Sequence, residues 1–149
     1  MSEMLGNRYF LARQFDKALQ YFETALEQAP DNYRIKKRLI ICYVYVGQIE
    51  RALSFFYDIV KVDPFIIINT DPYYDDCPCL DMIPDWESRL NGEASKKEIY
   101  ETLGMLYLFC ERKKSIEYFR KALNETSYKA TINSILKRLN ALNTMKSHL

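Results

Sequence analysis

Histidine and glycine are scarce in this sequence of 149 residues, and each scarcity excludes a class of site. The single histidine, His148, lies in the tail, so no arrangement of a nucleophile, a histidine and an acid is available for catalysis. The glycines stand far apart, at positions 6, 47, 92 and 104, and cannot form a glycine-rich phosphate loop. The sequence therefore predicts a protein that is not an enzyme and has no cofactor.

Long apolar runs and a strong net charge are also missing. No stretch approaches the roughly 18 consecutive apolar residues of a membrane-spanning helix, and Met1-Ser2-Glu3 does not begin a signal peptide. A net charge of +1 gives no overall attraction to nucleic acid or to an anionic membrane. The cysteines have no regular spacing, which is typical of a reducing compartment. We expect a cytoplasmic protein that binds neither membrane nor nucleic acid.

A repeat is the main feature that is present. Pro30 and Pro64 recur with a period of about 34 residues, and the residues before them match at the same shift. The matched pairs are Leu5 and Leu39, Tyr9 and Tyr43, Ala18 and Ala52, Leu19 and Leu53, and Phe22 and Phe56. This pattern resembles the tetratricopeptide repeat, in which each unit is a pair of helices that buries its apolar face against its neighbours.

A third copy follows after a gap and is one residue short. The separation of Gly6 and Gly104 is one residue longer than the separation of Phe22 and Phe119. The missing residue must therefore fall between the paired helices, which we place around residues 111–114. Three repeats are about the minimum for a stable stack.

The resemblance implies an all-α fold of three helical hairpins in a right-handed solenoid. We predict one domain over residues 1–149, with repeats at about 1–31, 32–65 and 96–127 and an amphipathic capping helix at 128–143. The predicted helices span residues 2–13, 16–28, 32–46, 48–62, 96–110, 114–124 and 128–143. Asp31 is the expected N-cap of the third helix, Gly47 its expected end, and Ser95 to Glu98 an expected capping box.

Residues 66–95 form an insert that the repeat does not require. From Asn69 to Glu93 there are seven acids and one base, Arg89, giving a charge of −6. The insert also holds the single tryptophan, Trp86, and a short helix is predicted from Pro84 to Asn91-Gly92 after an extended segment. A loop of this length inside a compact domain is usually functional or disordered, and its apolar residues favour order.

The resemblance implies that the first helix of each pair lines a concave groove that receives a peptide or a helix of another protein. Structural packing of the aromatic residues is the favoured alternative to a cofactor site. The groove could also be filled by the insert or by a second copy of the chain. The groove residues that the resemblance implies are Asn7, Phe10, Leu11, Arg34, Lys37, Ile41, Val44, Tyr45, Glu101, Met105, Leu108 and Phe109.

Two more specific sites are disfavoured. A carboxylate clamp for chaperone tails needs basic and amide side chains, and only Asn7 fits, because acids stand at Glu3 and Glu98. Cys77 and Cys79 are separated by one residue and lack a second ligand pair, so a zinc site is disfavoured against an ordinary surface loop. We therefore predict a protein-binding adaptor or small chaperone, with a self-associating scaffold gated by its acidic insert as the alternative.

Overall fold

Helices account for almost all of the regular structure. The computed structural model describes residues 1–71, 75, 77–92 and 95–146, and within these ranges it contains no strand. His148 and the last residues of the predicted tail lie outside them. The helices are α1 Ser2–Leu11, α2 Phe15–Gln28, α3 Tyr33–Tyr45, α4 Ile49–Val62, α5 Phe65–Ile68, α6 Cys79–Ser88, α7 Lys97–Leu108, α8 Arg112–Ala122 and α9 Lys129–Lys146, with a 3-10 turn at Arg89–Asn91.

The chain divides into two compact units, Met1–Ile59 and Val60–Leu149, with the division inside α4. In the first unit α1 packs against α2, and α2 against α3. In the second unit α7 packs against both α6 and α8, and α8 packs against α9. The predicted all-α class is confirmed, and the seven predicted helices are present with ends that differ by a few residues.

A glycine allows the two helices of a hairpin to approach closely. A Cβ atom built on Gly6 would lie 2.6 Å from Cδ1 of Phe22, and one built on Gly104 would lie 2.9 Å from Cδ1 of Phe119. Both distances are shorter than real carbon contacts, so any larger residue would push the helices apart. This explains why the aromatic of the second helix is matched with glycine in two of the three copies.

Three stacked aromatic pairs recur in equivalent places. The ring centroids are 5.5 Å apart for Tyr9 and Tyr21, 5.6 Å for Tyr43 and Phe55, and 5.6 Å for Tyr107 and Tyr118. A cation lies over the first ring of each pair, and these cations are Lys17, Arg51 and Lys114. Offset stacking and cation–π attraction each contribute about 0.5 to 1.5 kcal/mol. The repeat therefore preserves a packing unit as well as a sequence pattern.

The missing residue of the third copy is one with a left-handed backbone. The turns of the first two copies contain Arg13 at φ 61° and Gly47 at φ 84°, each followed by an amide that donates five residues back, Gln14 to Tyr9 and Gln48 to Tyr43. In the third copy Glu111 donates to the Tyr107 carbonyl four residues back. The turn occupies residues 109–111 and not the predicted 111–114, because α8 already begins at Arg112. The deletion there removes the left-handed step and tightens the turn.

The insert differs from its prediction in two respects. Residues 65–68 are helical rather than extended, with the Phe65 amide donating to Asp63 at 3.0 Å. The second helix of the insert begins at Cys79, so Pro84 lies inside α6 and not in its first turn. Cys79, Ile83 and Trp86 are spaced along one face and buried, which explains why the helix extends through the proline.

Two helix caps also differ from the predictions. The N-cap of α3 is Asn32, whose side chain accepts from the amides of Arg34 and Ile35, and not Asp31. The capping box at Ser95 does not form, because α7 begins at Lys97 and its N-cap residue, Lys96, makes no side-chain cap. Ser, Asp and Asn are all favourable N-cap residues, so the sequence alone does not select one of them. The residue at which the preceding turn ends becomes the N-cap.

Candidate protein-interaction surfaces

Polar contacts join α1 to α3, which are the first helices of the two hairpins in the first unit. Arg34 donates to Glu3 at 3.2 Å, and Arg38 donates to the Asn7 side chain at 3.0 Å. The Arg38 guanidinium lies 4.6 Å from the centroid of the Phe10 ring. These contacts hold the register of the two helices, although an exposed ion pair contributes little stability by itself.

Two apolar side chains remain exposed where α1 and α3 end. Leu11 is 52% exposed and Tyr45 is 57% exposed. The Tyr45 ring lies 5.1 Å from the Phe15 ring, and Phe15 in turn lies 5.2 Å from Phe10. Tyr45 is therefore held on one side by a buried aromatic cluster while its other side is open. We call Leu11, Tyr45 and the exposed Arg34 the α1–α3 face.

The other predicted groove residues of the first unit are partly or fully buried. Phe10, Ile41 and Val44 are each about 1% exposed, and Asn7 and Lys37 are half-buried. Leu11, Arg34 and Tyr45 are the exposed members of the predicted set in this unit. The predicted set thus includes both core residues and surface residues, because a repeat pattern records the helix face and not its depth.

All four predicted groove residues of the second unit are buried. Glu101, Met105, Leu108 and Phe109 are at most 2% exposed. The hydroxyl of Thr126 donates to Glu101 at 3.3 Å. Burial raises the pKa of this carboxyl, while the Thr126 hydrogen bond and Lys97 act in the opposite direction. A partner could reach these side chains only after a rearrangement of the elements that cover them.

The first unit also has a groove that sequence reasoning missed. It has a volume of about 530 Å³ and lies among α2, α3 and α4. Leu26, Leu39 and Phe55 give it apolar walls, and Lys36 and Glu27 are charged residues in its lining. We call this the α2–α4 groove.

A carboxylate, a phenol and a guanidinium meet in the α2–α4 groove. The Tyr43 hydroxyl donates to Glu23 at 3.1 Å, and Arg51 approaches the same carboxylate oxygen at 3.5 Å. The Tyr43 ring stacks on Phe55 at 5.6 Å. Burial is the main cause that raises the pKa of Tyr43, so its hydroxyl stays protonated and able to donate at neutral pH.

Comparison with known proteins agrees with this arrangement of paired helices. A sequence profile of the tetratricopeptide repeat matches residues 9–66. Residues 9–66 therefore form a tetratricopeptide-repeat region. Such repeats generally mediate protein–protein interaction and not catalysis.

The chain with this tetratricopeptide-repeat region is similar to part of much longer curated proteins. It is 30% identical over 100 residues to the E3 ubiquitin-protein ligase TTC3 of Rattus norvegicus, an alignment that covers 64% of this chain and 5% of that protein. The TTC3 of Mus musculus matches with the same identity and coverage. The chain therefore spans about one twentieth of the length of these relatives.

Cys77 and Cys79 are in contact and form no disulfide. The Cys79 amide donates to the Cys77 sulfur at 3.4 Å, and that thiol neighbour together with burial raises the pKa of Cys79. Partial desolvation raises the pKa of Cys110 to about 11, although this residue is exposed at the surface. Thiols with raised pKa values are weak nucleophiles and weak metal ligands. Over the described ranges, no three His, Cys, Asp or Glu residues converge in the manner of a metal site.

No helix in the described part of the chain is both long and apolar enough to span a membrane.

The sequence differs between copies at the α2–α4 groove, although only the structure shows that the groove is open. Glu23 and Tyr43 recur as Glu87 and Tyr107 at one common shift along the chain, whereas Lys36 is replaced by Tyr100 at that shift. This difference marks the place, and Lys36 lines the groove that the structure shows there.

Proposed function

We propose that this protein is a non-enzymatic adaptor or small chaperone that binds a peptide or a helix of another protein. The observation that supports this proposal is the open side of Tyr45, a large aromatic at the end of α3 that is 57% exposed, together with Leu11 at the end of α1, which is 52% exposed. Tyrosine provides a wide contact area with few rotatable bonds and is enriched at interface hot spots. Arg34 adds a charge at the N-terminal end of α3.

The proposal includes the concave groove and the right-handed solenoid that the family resemblance implies. We assign partner binding to the α1–α3 face, because the predicted groove residues of the second unit are buried. The partner is a polypeptide, and neither a nucleic acid nor a membrane. A cytoplasmic location remains a prediction from the cysteine pattern.

Affinity capture from a nuclease-treated lysate of the source cell tests the α1–α3 face. The variant is Leu11→Ala with Tyr45→Ala, which removes two exposed side chains. The matched control is Val62→Ala with Leu80→Ala, which removes two side chains of similar exposure, 53% and 54%, outside this face. Bound proteins are identified by mass spectrometry, and helicity and melting are followed by circular dichroism.

We expect a polypeptide that the wild type and the control variant both capture. The amount captured by the face variant should be at least tenfold lower, with both variants folded. Retention of the same polypeptide by the face variant would show that this face does not bind it. A folded face variant and an unchanged bound set would therefore remove the proposal.

A self-associating scaffold whose acidic insert occupies or gates the groove is the second candidate. It is supported by the packing of α6 against α7 and by the burial of Met105, Leu108 and Phe109. In this version the insert is the occupant of its own groove and a partner must displace it. The glutamate Glu87 on α6, which accepts two tyrosine hydroxyls, would be part of the closed state.

Glu87→Ala distinguishes the two candidates. If α6 gates the groove, weaker docking of α6 should increase capture of a partner or change the mass measured by light scattering. The matched control is Glu117→Ala, which removes an exposed acid on α8. A folded Glu87→Ala protein with the capture and mass of the control would eliminate the gating version and leave the adaptor proposal untouched.

A further inference from the structure

The two units contain equivalent groups with one informative difference. Glu23 and Tyr43 of the first unit correspond to Glu87 and Tyr107 of the second at one common shift along the chain. At the same shift Lys36 corresponds to Tyr100. Because of the deletion in the turn, Phe55 corresponds to Tyr118 at a shift that is shorter by one residue. The second unit therefore has two phenol rings where the first has a lysine and a phenylalanine.

These rings line one site in the second unit. The Tyr118 ring stacks on Tyr107 at 5.6 Å, and its hydroxyl donates to Glu87 at 3.2 Å. The half-buried Tyr100 ring lies 6.2 Å from the Tyr118 ring. Glu87 thus accepts from two phenols, since Tyr107 donates to its other oxygen at 3.0 Å. This site in the second unit therefore consists of the Glu87 carboxylate, the stacked rings of Tyr107 and Tyr118, and the additional ring of Tyr100.

The first unit lacks these groups at the same place. Tyr43 and Phe55 stack and Glu23 accepts from Tyr43, but Phe55 has no hydroxyl. The Lys36 ammonium lies 5.1 Å from the Tyr33 ring. What remains is the α2–α4 groove, with a volume of about 530 Å³. This volume falls within the usual range for a small-ligand pocket, about 300–1,000 Å³, and exceeds that of one aromatic side chain.

We propose that the α2–α4 groove binds a tyrosine side chain carried by an exposed segment of a partner protein. The ring of this tyrosine packs beside Phe55, as Tyr100 packs beside Tyr118 in the second unit. Its hydroxyl donates to the carboxylate of Glu23 or Glu27, both of which line the groove. The chemistry is complementary, because a neutral phenol supplies an apolar ring for the apolar walls and one donor for an acid.

This site is separate from the α1–α3 face and does not depend on the proposed function. Its probe is p-cresol, the tyrosine side chain as a free molecule, titrated into the full chain labelled with 15N. Toluene is the matched ligand without the hydroxyl. The blocking variant is Lys36→Tyr with Phe55→Tyr, which gives the first unit the side chains of the second. Lys113→Tyr, at an exposed position of α8, is the control variant.

The expected result is a saturable set of amide shifts centred on Leu26, Leu39 and Phe55, with toluene at least threefold weaker. The blocking variant should weaken p-cresol at least tenfold, and the control should leave it unchanged. Shifts that do not saturate, or that persist in the blocking variant, would overturn the site. Equal affinity for toluene would overturn the role of the hydroxyl. If the protein were a dimer that p-cresol dissociates, the occupant of the groove would be a second copy of this chain, and the proposal of a partner protein would be wrong.

Discussion

The Tyr107 hydroxyl donates to Glu87 at 3.0 Å across 20 residues, and the Tyr43 hydroxyl donates to Glu23 at 3.1 Å across the same 20 residues. Glu23 belongs to the second helix of a repeat, whereas Glu87 belongs to the insert. In each unit the carboxylate helix packs against the tyrosine helix, α2 on α3 and α6 on α7. Helix α6 therefore acts toward α7 as the second helix of a preceding repeat does.

The same spacing occurs once more, in the C-terminal helix. Arg120 of α8 donates to the Asn140 side chain at 3.4 Å, again across 20 residues. Asn140 is exposed, whereas Tyr43 and Tyr107 are buried. Helix α9 thus resembles the first helix of a further repeat that has a polar group where an additional helix would pack. The capping role of this helix stays a prediction.

Replacing Glu87 with alanine should destabilise the second unit. Two tyrosine hydroxyls in part-buried hydrogen bonds would lose their acceptor, and an unsatisfied hydroxyl costs up to about 1–3 kcal/mol when it is fully buried. The single tryptophan, Trp86, lies next to Glu87 and is 8% exposed, so its fluorescence during urea unfolding reports on α6. Glu117→Ala should change the free energy of unfolding by less than about 0.5 kcal/mol. Equal stability of the two variants would contradict the role given to Glu87.

Replacing Ile83 with alanine should reduce stability more strongly than replacing Leu80. Ile83 is 6% exposed and Leu80 is 54% exposed, although both lie on α6. Truncation of a buried isoleucine costs about 2–5 kcal/mol, whereas an exposed position changes by about 0.5 kcal/mol or less. Urea unfolding of both variants, followed by circular dichroism, measures the difference. If Ile83→Ala were as stable as Leu80→Ala, the insert would be a peripheral segment and not part of the core.

Replacing Gly104 with alanine should destabilise the third hairpin. The new Cβ atom would lie 2.9 Å from three carbons of the Phe119 ring, which is itself fully buried. Overpacking of this kind costs about 1–3 kcal/mol. Gly92→Ala is the control, because its nearest neighbour is the Arg89 carbonyl at 3.4 Å. Thermal melting of the two variants is the measurement, and a Gly104→Ala melting temperature no lower than the control would refute the close approach.

The buried Glu101 should make stability depend on pH in a defined direction. Burial raises its pKa in the folded state above the ordinary value of 4.5. The folded state therefore binds the proton more tightly, so this group stabilises the fold below that value, and the contribution is lost as the pH rises through the folded pKa. Glu101→Gln keeps an acceptor for Thr126 but cannot ionise.

The free energy of unfolding of Glu101→Gln relative to wild type should thus increase between about pH 4 and about pH 7. Urea titrations at both pH values measure it, with Glu117→Gln as the exposed control. A difference between variant and wild type that does not vary with pH would exclude Glu101 as the source.

The helical hairpins could be predicted because their signals are local. Leu39, Tyr43 and Phe56 recur with the period of the repeat, and Gly47 ends α3 through its own backbone at φ 84°. The pairing of Gly6 with Phe22 follows from the same pattern. The predicted N-cap at Asp31 was wrong, because Asp31 and Asn32 are both suitable cap residues and the position of the turn selected Asn32.

The sequence by itself determined the family, the helical class and the hairpin pairs, because a periodic apolar pattern specifies which helix faces are buried. Only the tertiary structure decided which predicted groove residues are exposed, that α6 packs against α7 through Glu87, and that the α2–α4 groove is open. These features depend on residues distant in the chain that fill, or fail to fill, the same space. Met105 and Tyr45 occupy similar faces in sequence, yet one is buried and the other 57% exposed, because depth is set by neighbouring elements and not by helical period.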